Sequence, residues 1–204
     1  MLTPRMKSQP QYPPLEWDRS GRQHIVFVSA EDPALARHLF ENPPEGDLTV
    51  IHLSGDAEAN ASGWQVSLPP GSKRRVTRRL DSALQKLHES LDQARMGARL
   101  YLVGSEDIIW QAAKVADRFG MGSDAVRRHR LGTLARPVYC VHCRTTTRGV
   151  RTNVADCCGC GRALLVRDHF SRHLGAYMGF QVDAEKPGEL PPIGSDSTTW
   201  LPAE

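Results

Sequence analysis

Two cysteine pairs in the last third of the chain constrain it more than any other feature. They read Cys140-Val141-His142-Cys143 and Cys157-Cys158-Gly159-Cys160-Gly161-Arg162, with thirteen residues between them. Two C-x2-C pairs at that separation can close four thiolates around one tetrahedral metal ion, with zinc the leading expectation. Cys140, Cys143, Cys157 and Cys160 are therefore the expected ligands. Four protein ligands leave no open position, so the expected site staples a fold and does not activate water. A glycine after the second cysteine of a pair lets backbone N–H groups point at the sulfurs, and only the second pair has one, Gly161. Iron is the rival metal: a rubredoxin-like site uses the same two knuckles and would make the module an electron carrier. All five cysteines fall between positions 140 and 160, which argues against a disulfide framework and suits a reduced, cytoplasmic setting.

The remaining residues suggest what precedes this module. At 204 residues with 40% hydrophobic content, the chain can hold one ordinary domain and a small module. No run of about twenty apolar residues offers a membrane span, and Met1–Arg5 lacks the apolar stretch of a secretory signal. The run His24–Ser29 reads as a buried parallel strand, and Leu48–Leu53 and Arg99–Val103 read as two more. Trp64–Leu68 is a shorter candidate strand. Asp32-Pro33 resembles a helix start, with Ala34, Leu35, Leu39 and Phe40 as its apolar face. Ser72 is placed to cap a helix running to Met96, with Val76, Leu80, Ala83, Leu84, Leu87, Leu91 and Ala94 at helical spacing. Residues 106–119 form another helix, ended by Gly120 and Gly122. Strand and helix alternate, which predicts the α/β class: a Rossmann-like parallel sheet domain, then a small four-cysteine zinc-ribbon domain, with extended termini.

The boundaries expected are a Pro-rich N-terminal arm over 1–22 and the α/β domain over 23–136. The zinc ribbon and a following helix or loop cover 137–182, and an extended acidic tail covers 183–204. The arm is expected to stay solvated or to dock on a partner through Tyr12, Leu15 and Trp17, and the tail likewise through Leu190, Ile193 and Trp200. Lys73, Arg74, Arg75, Arg78 and Arg79 form the densest charge run, either a solvated face or a docking site for an acidic subunit. Cys158 reads as a solvent-facing bystander, and His142 as a non-ligand inside the first knuckle. On a helix, His169 and His173 would share a face and could hold a metal or a haem; otherwise they are surface or interface histidines.

Two resemblances sharpen this picture. Leu100–Ser105, Gly120-Met121-Gly122 and Val126–His129 resemble the last third of the nicotinamide-binding domain of ferredoxin reductases. The first strand, however, is followed by Ser29-Ala30-Glu31-Asp32-Pro33, without the glycines of a phosphate loop and with two carboxylates that repel a pyrophosphate. The domain is accordingly expected to be reductase-like but without its nucleotide. The second resemblance runs from Tyr139–Cys143 and Cys157–Arg162 through Leu164–Arg172 and Gly175–Gly179. This stretch is similar to the A subunits of bacterial dimethylamine monooxygenases.

That resemblance implies a subunit of an NADPH- and O2-dependent monooxygenase complex that N-demethylates dimethylamine to methylamine and formaldehyde. Haem, flavin and iron–sulfur centres are then expected on partner subunits, and zinc at the four cysteines here. No nucleophile–base set, paired acid/base motif or intact cofactor loop is present, so no catalytic or cofactor-binding residue is assigned. Two alternatives stand beside this reading: a zinc-ribbon adaptor for nucleic acid or transcription machinery, and a rubredoxin-like iron carrier. The net charge of only +3 and the absence of aromatics within the basic run weigh against nucleic acid.

Overall fold

A computed structural model describes residues 9–29, 40–54, 68–133 and 135–194. The chain forms two compact units, Tyr12–Thr133 and a second made of Met1–Gln11 with Leu134–Glu204. The helix expected to start at Asp32-Pro33 lies outside the described residues except for Phe40, as does the strand expected at Trp64–Leu68 except for Leu68, and so does Trp200.

The first unit is built on one parallel sheet. Its elements are β1 (Gln23–Ser29), β2 (Asp47–Leu53), β3 (Lys73–Thr77), α1 (Leu80–Asp92), β4 (Ala98–Gly104), α2 (Glu106–Arg118) and β5 (Val126–Arg130). The strand order is β3-β2-β1-β4-β5 and every pair is parallel. The continuous apolar runs of β1, β2 and β4 follow from this, because strands covered on both faces need no polar alternation. The helices α1 and α2 pack on each other and on the strands, burying Ala83, Leu87, Leu91, Ile109, Ala112 and Ala116.

The long helix predicted from Ser72 is two elements. Lys73–Thr77 pairs with Thr49–Leu53 as an edge strand, and the helix begins only at Leu80. Ser72 folds back instead of capping a helix: its N–H and hydroxyl both donate to the Pro69 carbonyl. Gly71, at φ 84°, supplies the turn. Periodicity misled because Val76 alone extended the apolar stripe upstream, and it is 48% exposed. The basic run is thereby corrected too. Lys73, Arg74 and Arg75 charge a sheet edge, where they discourage edge-to-edge pairing, while Arg78 and Arg79 alone stand at the N-terminus of α1, Arg79 as its N-cap.

The N-terminal arm covers part of this unit's own sheet. No helix follows β5 within the unit, so the face over β4 needs another lid. Leu15 and Trp17 pack against Val26, Val28, Leu48, Val50, Tyr101 and Val103, on the opposite face from α1 and α2. Trp17 meets Tyr101 edge-on, with ring centroids 4.6 Å apart. Asp18 closes the segment with an Arg99 ion pair of 2.6 Å, and hydrogen bonds from Ser20, together with that guanidinium, hold the Asp18 carboxyl below the usual carboxylate range. Tyr12, Leu15 and Trp17, expected either to be solvated or to reach a partner, thus serve the chain's own core.

The second unit holds β6 (Arg136–Cys140), β7 (Thr146–Val150), β8 (Val154–Asp156), β9 (Ala163–Ser171) and β10 (Ala176–Gln181) in the order β7-β6-β10-β9-β8. The β6–β10 pair is parallel and the others antiparallel. Val138, Leu164, Val166, Phe170, Ala176 and Tyr177 make its core. The stretch 168–180 is therefore neither helix nor loop but a strand hairpin. Val166, Phe170 and Tyr177 point inward and Arg167 and His169 outward, as in a half-buried antiparallel pair, with a register shift between Tyr177 and Gly179. Gly179 is needed there, since a Cβ would lie 2.7 Å from Val138 Cγ1. Among the described residues no helix is long and apolar enough to cross a membrane.

Candidate metal centre

Both cysteine pairs sit on tight turns with the same backbone plan. In the first, the Cys140 N–H donates to the Thr145 carbonyl and the Arg144 N–H donates to the Cys140 carbonyl. In the second, the Cys157 N–H donates to the Arg162 carbonyl and the Gly161 N–H to the Cys157 carbonyl. Each turn places one residue in the left-handed region, Arg144 at φ 64° and Gly161 at φ 70°. An arginine there costs backbone strain that glycine avoids, of order 1 kcal/mol. The first turn thus adopts the geometry that only the second turn's sequence advertised.

The turns bring four sulfurs together. The Sγ atoms of Cys140, Cys143, Cys157 and Cys160 all lie within 4.8 Å of one another. Cys143 and Cys157 are 3.4 Å apart, and Cys140 and Cys160 are 3.9 Å apart. A zinc tetrathiolate with bonds of about 2.3 Å has sulfur–sulfur edges of about 3.8 Å, so the donor set fits such an ion. None of the cysteines is in a disulfide. Cys140 and Cys157 are buried beneath the turns, and Cys143 and Cys160 are half-buried.

Local hydrogen bonding prepares some of these sulfurs for deprotonation. Bonds from the Thr145 hydroxyl and backbone hold Cys143 down at about 6. The Arg162 backbone lowers Cys160, while burial pushes Cys140 up to about 11. The Gly159 N–H points at Cys157 Sγ from 3.4 Å. Thr145 and Gly159 are the positions that sequence reading missed. A Cβ on Gly159 would sit 2.6 Å from Thr145 Oγ1 and 3.2 Å from Cys143 Sγ, so the two turns close on each other only with glycine there. The available signal was positional: Thr145 stands two residues after Cys143, as Arg162 does after Cys160.

The neighbouring groups stay outside the sulfur cluster. Cys158 is exposed, and its thiol faces the Thr146 carbonyl at 3.7 Å. His142 Nδ1 lies 3.1 Å from an Arg162 nitrogen and accepts from it, and the ring is not part of the four-sulfur cluster. His169 stands on β9 and His173 in the turn after it; both are exposed, and no helix aligns them.

A second location matters for cofactors, the crest of the parallel sheet. Strand order reverses between β1 and β4, and open α/β sheets bind ligands at such a point. Gly104, at φ 152°, comes so close to β1 that a Cβ would lie 2.9 Å from the Ser29 carbonyl oxygen. The following helix α2 carries Glu106 and Asp107 in its first turn, where a phosphate would otherwise sit. Glu106 is buried, and the Tyr12 hydroxyl donates to it at 2.6 Å while accepting from Trp110 at 2.8 Å.

Comparison with known proteins was informative for both units. The family profile described as "dimethylamine monooxygenase subunit DmmA-like, N-terminal domain" matches residues 4–126, and its C-terminal counterpart matches residues 137–180. The heme-dependent oxidative N-demethylase delta subunit of Ectopseudomonas mendocina (strain ymp) is 38% identical over 101 residues. That match spans 50% of this chain and 58% of the relative, less than two thirds of its length. No solved structure matches.

Proposed function

The chain belongs to the family of DmmA-like dimethylamine monooxygenase subunits, and on that premise we propose that it is a zinc-stapled, non-catalytic subunit of an oxidative N-demethylase complex. The observation that carries the reading is the pair of family matches, which together take in both the parallel sheet and the four-thiol cluster. The similar delta subunit, by its name, serves a heme-dependent N-demethylase. Dimethylamine as substrate, and haem, flavin and iron–sulfur centres on partner subunits, follow from the same premise. Residues 23–136 act as the reductase-like domain and 137–182 as the ribbon.

The local chemistry supports a structural part in such a complex. Cys140, Cys143, Cys157 and Cys160 would hold the ion, which supplies folding free energy and no reactive position. Glu106 and Asp107 put negative charge where a dinucleotide would bring its pyrophosphate, which supports a scaffold without nucleotide. The module's own residues then do positional work: Thr145, Gly159 and Arg162 aim the sulfurs, and the hairpin of β9 and β10 backs them.

The test is gentle purification of the tagged full-length chain from its native cells, with metal analysis, an absorption spectrum and identification of co-purifying chains. One zinc per chain, with haem and flavin arriving on bound partners, is the expected result. A lone chain that binds NADPH at micromolar levels, or a lone red iron protein, would overturn the reading.

A further inference from the structure

The outward face of the second sheet is an apolar surface flanked by Arg167. Along β10 the core-facing residues are Tyr177 and Gly179, which leaves Met178 and Phe180 on the other side. Register places Tyr139 beside Met178 and Leu165 beside Phe180. Val141 follows on the first cysteine turn, its N–H bonded to the Gly179 carbonyl. Phe180 is 43% exposed and Val141 37%, and with the half-buried Met178, Tyr139 and Leu165 they form a contiguous apolar patch. The Arg167 guanidinium lies 6.0 Å from the Phe180 ring centroid, and Arg167, Asp168, His169 and Phe180 line a shallow cavity of about 510 Å³.

Charge distribution says what kind of surface this face would accept. Residues 135–182 contain seven arginines, no lysine and two aspartates, for a formal +5. The rest of the chain has nineteen basic against twenty-one acidic residues, so the basicity of the whole protein resides here. A sulfur-bound zinc would offset only about two of those charges. Arginine without lysine is the composition of protein interfaces, where a planar guanidinium meets carboxylates and stacks on rings. A second copy of the chain is a poorer occupant, because it would bring together two units of the same net positive charge.

We propose that this face, centred on Phe180 and bordered by Arg167, is the surface by which the chain docks on another subunit of its complex, and that the partner presents an apolar patch ringed by carboxylates. The inference rests on the reading of the chain as a complex subunit. It is tested on the complex purified from native cells. Phe180→Glu and Arg167→Glu should each weaken retention of the co-purifying subunits about thirtyfold or more, the loss expected for a central anchor. Zinc content and circular dichroism should stay unchanged, and Val76→Glu, on the edge of the other sheet, should retain the subunits.

Hydroxyl-radical labelling of the wild-type complex and free chain needs no variant. Met178, Phe180 and Tyr139 should be protected in the complex. A complex that forms with these residues still labelled, or that survives both charge reversals, overturns the docking face while leaving the subunit reading intact. Absence of any co-purifying subunit overturns both. Salt-sensitive binding of the free chain to RNA or DNA that Arg167→Glu abolishes would mean the face reads nucleic acid, and overturns the proposal as well.

Discussion

Replacing Tyr101 by Phe should cost the first unit about 2–4 kcal/mol, although it removes one oxygen atom and no apolar contact. Tyr101 is fully buried in the sheet, and its hydroxyl ties it to the arm at Asp18 and to the start of β1 at His24. The His24 Nε2 lies 3.1 Å from the Gly21 carbonyl, which can only accept, so Nε2 carries the hydrogen and Nδ1 is a bare acceptor. Burial lowers the His24 pKa, in keeping with that neutral ring. The Tyr101 hydroxyl therefore donates to His24 Nδ1 at 3.1 Å and accepts from the Asp18 N–H at 3.0 Å. Phenylalanine keeps the ring against Trp17 but leaves a backbone donor and a ring acceptor without this partner. A buried group so deprived costs roughly 1–3 kcal/mol, with the fully buried His24 ring nitrogen at the upper end and the part-buried Asp18 amide at the lower, about 2–4 kcal/mol together.

The assay is urea unfolding followed by tryptophan fluorescence. With a slope of about 1–3 kcal/mol per molar, the midpoint should fall by about 1–2 M at unchanged slope. Hydrogen exchange supplies the second readout, because the Asp18 amide should be slow in the wild type and fast in the variant. A loss under about 0.5 kcal/mol, or an Asp18 amide equally protected in both proteins, would refute the reasoning.

Three further outcomes are expected. Cys143→Ala should release the metal and expose residues 137–167 to protease, because small zinc modules draw most of their folding free energy from the ion; Cys158→Ala should change neither, and metal analysis with limited proteolysis decides. The first unit should lose stability as pH falls from about 6.5 towards 4: burial lowers His52 from 6.5 to about 4, so in that window the unfolded state takes up a proton that the folded state refuses. The loss from His52 approaches about 3 kcal/mol, and urea midpoints at successive pH values should show a slope that His52→Asn flattens. Gly179→Ala should destabilise the second unit by about 1–3 kcal/mol through overpacking. Its Cβ would meet Val138 Cγ1 at 2.7 Å and Leu164 Cδ1 at 3.0 Å, and thermal melting of the zinc-loaded protein measures the effect.

Residues close in sequence determined the features that were legible without coordinates. The cysteine spacing names the sulfur cluster, because a C-x2-C turn is a local object whose geometry a few residues dictate. The unbroken apolar runs of β1, β2 and β4 declare a sheet covered on both faces, and Ile109, Ala112 and Ala116 declare the buried side of α2. Tertiary context decided the rest. Lys73–Thr77 is a strand because β2 offers it a ladder of hydrogen bonds, which no periodicity within the segment could reveal. The same holds for 168–180, whose pairing partner begins before it and whose inward residues are selected by the core of the second unit. Tyr12 and Trp17 read as surface anchors because several of their partners, Glu106 and Trp110 for Tyr12 and Tyr101 for Trp17, lie more than eighty residues away in the chain. Gly159 carries no signal of its own; it is required only because two turns thirteen residues apart converge until a methyl group would not fit between them.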